Sequence, residues 1–219
     1  MLRVAKDFKL KNYNYVAVAN AVDVNKFDYE RVEISPELEK YRDCVLCVSR
    51  IEGRKNQLNI IRACKGLPYK FVFIGKAGAN FRKYYEACKA EANDHTFFLG
   101  QIEHEKLPQF YKLAKVHILA SWMETPGLSS LEAGIMHTNV VVTKKGDTED
   151  YFKKFAFYCE PDDLLSIKDA VVKAFNSSFD NNFLERIRDN YKWEDTARQT
   201  FQGYQSIIRV SYGKQSLLR

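Results

Sequence analysis

At 219 residues, the chain is long enough for one large α/β domain with a substantial core, but not comfortably for two. Hydrophobic residues make up 46% and charged residues 28%, which excludes a disordered or fibrous protein. The net charge of +6 favours anionic ligands, but no run of like charge is long enough for a nucleic-acid-binding arm, so we expect no nucleic-acid partner.

No apolar stretch approaches the roughly 18 residues that a membrane span needs, and the chain does not begin with a signal-peptide pattern. We therefore expect a cytoplasmic protein. Its five cysteines lack the density of a disulfide scaffold, so they should be reduced and mostly buried. Cys44 and Cys47 form a C-x-x-C pair, but they lie in a strand-like run, where residues three apart point to opposite faces. We predict no metal site.

The N-terminal segment, residues 1–43, contains one strand-like run at residues 15–20, followed by a polar connector that continues to Pro36. From residue 44 onward, short apolar runs alternate with longer helical patterns, which predicts βαβ units and a parallel sheet. Strands are predicted at residues 44–49, 70–75, 96–100, 116–121, 140–143 and 155–159. Helical patterns occupy residues 56–67, 80–92, 104–114, 127–137, 148–155 and 162–176, and two more fall in the C-terminal segment 183–219, at residues 183–191 and 193–210. The pattern predicts one Rossmann-like, doubly wound α/β domain over residues 1–219.

The loop after the fourth of these strands carries Glu124, and Gly127 should open the next helix. A helix N-terminus offers unpaired N–H groups and a partial positive charge, which suit a phosphate or diphosphate. Glu132 lies more than one turn inside that helix, where its carboxylate could accept hydrogen bonds from two ribose hydroxyls. The same spacing also fits an ordinary helix start with a solvated acid on its surface.

Two cations follow the first main strand and could enter the same crevice. Arg50 and Lys55 straddle that loop, and together they would stabilise the negative charge of a diphosphate leaving group. The neighbouring Glu52 and Arg54 are interpreted as solvated surface residues.

Four stretches, residues 45–63, 71–78, 97–134 and 140–151, resemble the C-terminal, donor-binding half of retaining glycosyltransferases with the GT-B fold, in the large group 1 family. Glu124 and Glu132 match the E-x7-E motif of that family by spacing. Residues 18–27 resemble its Asn-Gly-Val-Asp segment, and residues 193–207 resemble its tryptophan-led C-terminal helix. The resemblance extends from about residue 15 to about residue 207.

The resemblance implies transfer of a sugar, with retention, from a nucleotide diphosphate-sugar that is UDP- or GDP-linked. Arg50 and Lys55 would contact the diphosphate together with the amides of Gly127 and Leu128. We expect neither a metal ion nor another cofactor, because the cationic side chains and the helix N-terminus would do the work of a metal.

The same resemblance places Glu132 on the ribose and Glu124 on the transferred sugar, with Glu124, Arg50 and Lys55 as the catalytic set. The segment Gly100, Gln101 and Ile102 is expected beside the nucleobase.

In such enzymes the N-terminal domain holds the acceptor, and no sequence for it precedes residue 15. The resemblance therefore implies a missing N-terminal domain or partner subunit. It also implies a hexosyltransferase of polysaccharide biosynthesis, of which this fragment alone would be inactive. The other half would make peripheral contact with the cytosolic membrane face. Two alternatives stay open: a non-catalytic subunit of a glycosyltransferase complex, and a sugar-nucleotide epimerase of the same architecture. His137 is the only histidine that the sequence places near a plausible position for the acid/base chemistry of an epimerase.

Overall fold

The computed structural model describes residues 16–215, and its centre is a single sheet of six parallel strands. The strands are β1 (Cys44–Val48), β2 (Phe71–Ile74), β3 (Thr96–Phe98), β4 (Ala114–Leu119), β5 (Asn139–Thr143) and β6 (Ala156–Cys159). Their order in the sheet is β3-β2-β1-β4-β5-β6. All six predicted strands are confirmed. The apolar residues of the four inner strands are almost all buried, as in a parallel sheet covered by helices, whereas the edge strands β3 and β6 are only partly buried.

Helices cover both faces of the sheet, which confirms the Rossmann-like α/β class. They are α1 (Gln57–Ala63), α2 (Arg82–Glu91), α3 (Leu107–Leu113), α4 (Leu128–Ile135), α5 (Thr148–Phe152), α6 (Leu164–Asn176), α7 (Asn181–Asn190) and α8 (Trp193–Gln215). One layer contains α1, which contacts both α2 and α6, and the other contains α4, which contacts both α3 and α7. Within residues 16–215, no helix has the length and apolar character needed to cross a membrane.

The chain order creates a switch point at the middle of the sheet. From β1 the strand order proceeds through β2 to β3 at one edge of the sheet, and from β4 it proceeds through β5 to β6 at the other edge. The neighbours β1 and β4 therefore lie at the middle of the sheet. The loops that leave their carboxyl ends diverge onto opposite faces and leave a crevice, which is where open α/β sheets bind ligands.

The strand predicted at residues 15–20 is wrong over the part that the structure describes. Residues 16–20 form no strand, and Val16 is 58% exposed. The nearest pairing is an isolated bridge between Val22 and Lys192, with the Val22 N–H donating to the Tyr191 carbonyl at 3.0 Å. The strand-like run predicted a strand, but this segment lies against the junction of α7 and α8 and pairs there rather than with the edge of the sheet.

All five cysteines are free and buried, as predicted. Burial raises the pKa of the Cys44 thiol to about 12 and that of Cys47 to about 11, so both remain protonated at neutral pH. A protonated thiol is a poor metal ligand and a poor nucleophile. The C-x-x-C pair is thus part of the sheet's core.

Candidate functional site

The switch point holds a cleft of about 390 Å³, which we call the central cleft. The side chains and backbone that define it come from the loop after β1 and from the turn that begins α4: Arg50, Arg54, Lys55, Glu124, Gly127 and Leu128. Five of these six residues were predicted as site residues. The structure therefore brings together the two loop cations, the first glutamate of the E-x7-E pair and the start of the following helix.

Lys55 and Glu124 form an ion pair at the floor of the central cleft. The Lys55 Nζ lies 2.5 Å from Glu124 Oε1, and the two side chains are only 13% and 7% exposed. The backbone of the next residue, Asn56, adopts a left-handed conformation with φ of 64°. Its side-chain amide donates to the carbonyls of Ala120 at 2.9 Å and Pro161 at 2.7 Å, which ties the lysine loop to the end of β4. Lys55 is thereby held opposite Glu124.

The backbone of Glu124 is fixed from its other side by the turn that follows β5. Its N–H donates to the Lys145 carbonyl at 3.0 Å, and its carbonyl accepts from the Asp147 N–H at 3.0 Å. Between them Gly146 has a φ of +104°, and a Cβ atom at this position would lie 1.8 Å from the Glu124 carbonyl oxygen. Glycine at 146 is therefore required for the close approach that positions Glu124.

The interpretation as a solvated residue is wrong for Glu52 and correct for Arg54, whose side chain is 46% exposed. Glu52 is only 6% exposed, and its Oε1 lies 3.3 Å from the guanidinium groups of both Arg50 and Arg54. Arg54 also donates to the Met123 carbonyl at 2.9 Å and lines the central cleft. Glu52 is the N-cap of a short 3-10 turn, Gly53–Lys55, and its side chain is buried at the start of that turn.

The N-terminus of α4 closes the other wall of the central cleft. Gly127 is its N-cap, with a φ of 64°, and its lack of a side chain leaves the first N–H groups of the helix uncapped. Those groups and the helix dipole make this end of the cleft favourable for an anion.

Glu132 is the fifth residue of α4 and does not line the central cleft. Its Oε1 lies 2.8 Å from His104 Nε2, and its Oε2 accepts a hydrogen bond of 2.7 Å from the Tyr111 hydroxyl. The two members of the E-x7-E pair thus lie in different surroundings. Sequence reasoning missed His104 and Tyr111, because neither is near Glu132 in the chain.

The predicted base-binding segment divides between a cavity and the core. Gly100 and Gln101 line a second cavity, of about 730 Å³, at the carboxyl ends of β2 and β3. Ile102 instead packs against the hydrophobic core. The second cavity adjoins the central cleft, because Gly75 lines the cavity and contacts Ser49, which lines the cleft. The contact is so close that a Cβ atom on residue 75 would lie 1.9 Å from the Ser49 carbonyl oxygen.

A buried histidine lies behind the central cleft and was also missed. His117, in β4, is fully buried, and its Nδ1 lies 3.3 Å from the hydroxyl of Ser130 in α4. Burial and, secondarily, the charge of Lys55 lower its pKa to about 3, so the ring is neutral.

His137, the histidine considered for an epimerase, lines neither cavity. Its ring stacks between Tyr29 and Phe179, with ring centroids 4.3 Å and 5.3 Å away. Burial lowers its pKa, which favours the neutral ring. The inference that it was the only histidine near a plausible position is wrong, because His104 and His117 are the histidines whose ring nitrogens lie near side chains of α4, Glu132 at 2.8 Å and Ser130 at 3.3 Å.

Over residues 16–215, no group of three or more His, Cys, Asp or Glu side chains is arranged to hold a metal ion.

Residues 30–193 match the family Glycosyl transferases group 1, so the chain belongs to that family. It is 27% identical over 179 residues to an uncharacterized glycosyltransferase of Methanocaldococcus jannaschii, covering 76% of this chain and 45% of that protein.

Two solved structures share the fold. Sucrose-phosphate synthase from Thermosynechococcus elongatus is 19% identical, with a TM-score of 0.79 over 95% of this chain and 57% of that one. HepE from Anabaena, solved in complex with UDP and glucose, is 16% identical, with a TM-score of 0.73 over 87% of this chain and 55% of that one. The resemblance to the C-terminal half of GT-B glycosyltransferases is confirmed, and the chain spans about half the length of these relatives.

Proposed function

We propose that the central cleft binds the diphosphate of a nucleotide-sugar, and that this chain is the donor-binding domain of a retaining glycosyltransferase. The convergence of three cationic side chains, Arg50, Arg54 and Lys55, with the uncapped N-terminus of α4 carries the proposal. Glu52 and Glu124 balance two of these three charges, which leaves a net charge of +1 on the side chains. Together with the partial positive charge of the helix N-terminus, this matches an anionic ligand better than a neutral one. The complex of HepE with UDP and glucose supports a ligand of this class.

In the proposed complex, Arg50, Lys55 and the amides of Gly127 and Leu128 contact the diphosphate. These groups stabilise the negative charge that develops on the diphosphate as the bond to the sugar breaks. They also supply the positive charge that a metal ion would otherwise provide, so we expect binding and transfer without a metal.

Glu124 changes partners when the donor binds. In the structure it neutralises Lys55 at 2.5 Å. Once the diphosphate attracts Lys55, the Glu124 carboxylate can accept a hydrogen bond from a hydroxyl of the transferred hexose. The ion pair therefore keeps both groups oriented before the donor arrives.

Glu132 would accept hydrogen bonds from the ribose, and the segment Gly100, Gln101 and Ile102 would lie beside the base. Because the chain spans about half the length of its relatives, we expect a second domain or a partner subunit to hold the acceptor. The present chain should then bind a donor without transferring its sugar.

Calorimetric titration of the 219-residue chain with UDP, GDP, ADP and their glucose and mannose conjugates tests the proposal. We expect saturable binding of one nucleotide series, equal in magnesium and in chelator. Lys55→Met should weaken it by about 10- to 100-fold, the value of one lost charge-assisted hydrogen bond. Lys65→Met is the matched control, because Lys65 is exposed at the far end of α1.

Absence of binding at millimolar concentrations, or equal weakening by both substitutions, would refute the assignment of the cleft. In the whole enzyme, Glu124→Gln should lower the rate of transfer by at least about 100-fold, and the anomeric configuration of the product, read by NMR, should match that of the donor.

A further inference from the structure

A chain of polar side chains leads from the N-terminal segment to Glu132. The ammonium group of Lys26 lies 2.8 Å from His104 Nδ1, and His104 Nε2 lies 2.8 Å from Glu132 Oε1. Lys26 also forms a 2.8 Å ion pair with the exposed Glu105. Glu132 is thus connected to a residue that precedes the first strand of the sheet.

A tight turn positions Lys26 for this contact. The carboxylate of Asp23 accepts hydrogen bonds of 3.1 Å from the backbone N–H groups of Asn25 and Lys26. Phe27 follows, is 1% exposed, and packs its ring edge-on against the His104 ring, with centroids 5.4 Å apart. His104 is therefore held on two sides by consecutive residues of the N-terminal segment.

The contact with Lys26, like that with Glu132, requires one particular tautomer of a neutral His104. A lysine ammonium can only donate hydrogen bonds, so His104 Nδ1 must accept. The ring proton is then on Nε2, which donates to Glu132 Oε1. The opposite tautomer would direct an N–H group at the ammonium and leave no donor for the glutamate.

Tyr111 supplies the second donor to Glu132. Its hydroxyl donates to Oε2 at 2.7 Å, and burial together with the Glu132 charge raises its pKa, so it stays protonated. A carboxylate has about four lone-pair sites, two on each oxygen. One site on each oxygen is occupied, which leaves one on each oxygen for a pair of adjacent hydroxyls.

We propose that Lys26, His104 and Tyr111 are positioning residues that orient Glu132 for the two hydroxyls of a ribose, so that the N-terminal segment contributes to the choice of ribonucleotides over deoxyribonucleotides. The proposal rests on the proposed function in one respect, that Glu132 meets the ribose of the donor. The placement of the His104 proton by Lys26 is independent of any ligand.

NMR of the 15N-labelled chain at pH 8 tests the first step, because ring nitrogen shifts distinguish the two tautomers. We expect the Nε2–H form of His104 in the native protein and a larger fraction of the Nδ1–H form in Lys26→Met, in which only Glu132 still favours Nε2–H. Lys106→Met is the matched control: Lys106 pairs with Glu103 and does not touch His104. Finding the Nδ1–H form in the native protein, or no change in Lys26→Met, would overturn the proposal.

Calorimetry with UDP, GDP and ADP, each compared with its 2′-deoxy form, tests the second step. We expect the native chain to prefer the ribonucleotide by about tenfold or more, the value of one hydrogen bond to a charged group. His104→Ala should reduce this ratio to about twofold or less, and His104→Gln, whose side-chain amide can still donate to Glu132, should restore much of it.

An undiminished ratio in His104→Ala, while the native chain binds ribonucleotides, would overturn this proposal and leave the proposed function intact. If the native chain bound no nucleotide, both the proposed function and the ribose role of Glu132 would be refuted.

Discussion

Replacing His117 with phenylalanine should remove a large part of the acid sensitivity of the fold. His117 is buried and neutral, with a pKa of about 3 in the folded protein, against about 6.5 for an exposed histidine in the unfolded chain. Between these values the unfolded chain binds a proton that the folded protein does not. The contribution of His117 to stability is therefore full above about pH 6.5 and is lost progressively as the pH falls towards 3.

The magnitude follows from the two pKa values. Between pH 8 and pH 5, protonation of His117 in the unfolded chain lowers the free energy of unfolding by about 2 kcal/mol. A phenylalanine of similar flat shape does not titrate, and it also removes Nε2, which is buried and has no hydrogen-bond partner. We expect His117→Phe to stay within about 1 kcal/mol of the native protein at pH 8, and to gain about 2 kcal/mol relative to it at pH 5.

Urea unfolding followed by circular dichroism at both pH values measures this difference. Other titrating groups are common to the native protein and the variant, so they cancel in the comparison. His95→Gln, at an exposed histidine, should show no such gain and serves as the control. If the difference in unfolding free energy between the native protein and His117→Phe were the same at pH 8 and pH 5, the reasoning about this buried histidine would be refuted.

Three further predictions concern the backbone, the ion pair and the thiols. Gly146→Ala should destabilise the fold by about 2 kcal/mol or more in thermal unfolding, because the new Cβ would clash with the Glu124 carbonyl. Gly203→Ala, in an open part of α8, should be neutral or stabilising by about 0.5–1 kcal/mol. Equal effects of the two substitutions would contradict this account. Lys55→Met should lower the free energy of unfolding by about 3 kcal/mol, because it leaves the Glu124 carboxylate buried without its close partner. The double variant Lys55→Met/Glu124→Gln should recover part of this loss. Additive losses would argue against a coupled pair. All five cysteines should react slowly with a thiol reagent such as Ellman's reagent until the chain unfolds, and rapid labelling of the native protein would contradict their burial.

The elements that sequence analysis predicted correctly are those whose signal is local. Each strand of the sheet is a short apolar run, because strands of a parallel sheet with helices on both faces place their side chains in apolar surroundings on either side. The run at residues 15–20 had the same local signal, yet those of its residues that the structure describes form no strand. Strand pairing requires a free neighbouring edge, and a local pattern carries no information about that.

The residues of the site also fall into two groups, those that the sequence predicts and those that only the tertiary structure brings together. Parallel strands bring their carboxyl ends to one edge, so the sequence by itself determined that the loop of Arg50 and Lys55 would meet the loop of Glu124 and the helix start at Gly127. Only the tertiary structure decided the partners of Glu52 and Glu132. The hydrogen bond from Lys26 to His104 joins residues 78 apart in the chain, and that from His104 to Glu132 joins residues 28 apart. Contacts at such separations depend on how whole elements pack, because no periodicity or motif along the chain determines which side chains then come within hydrogen-bonding distance.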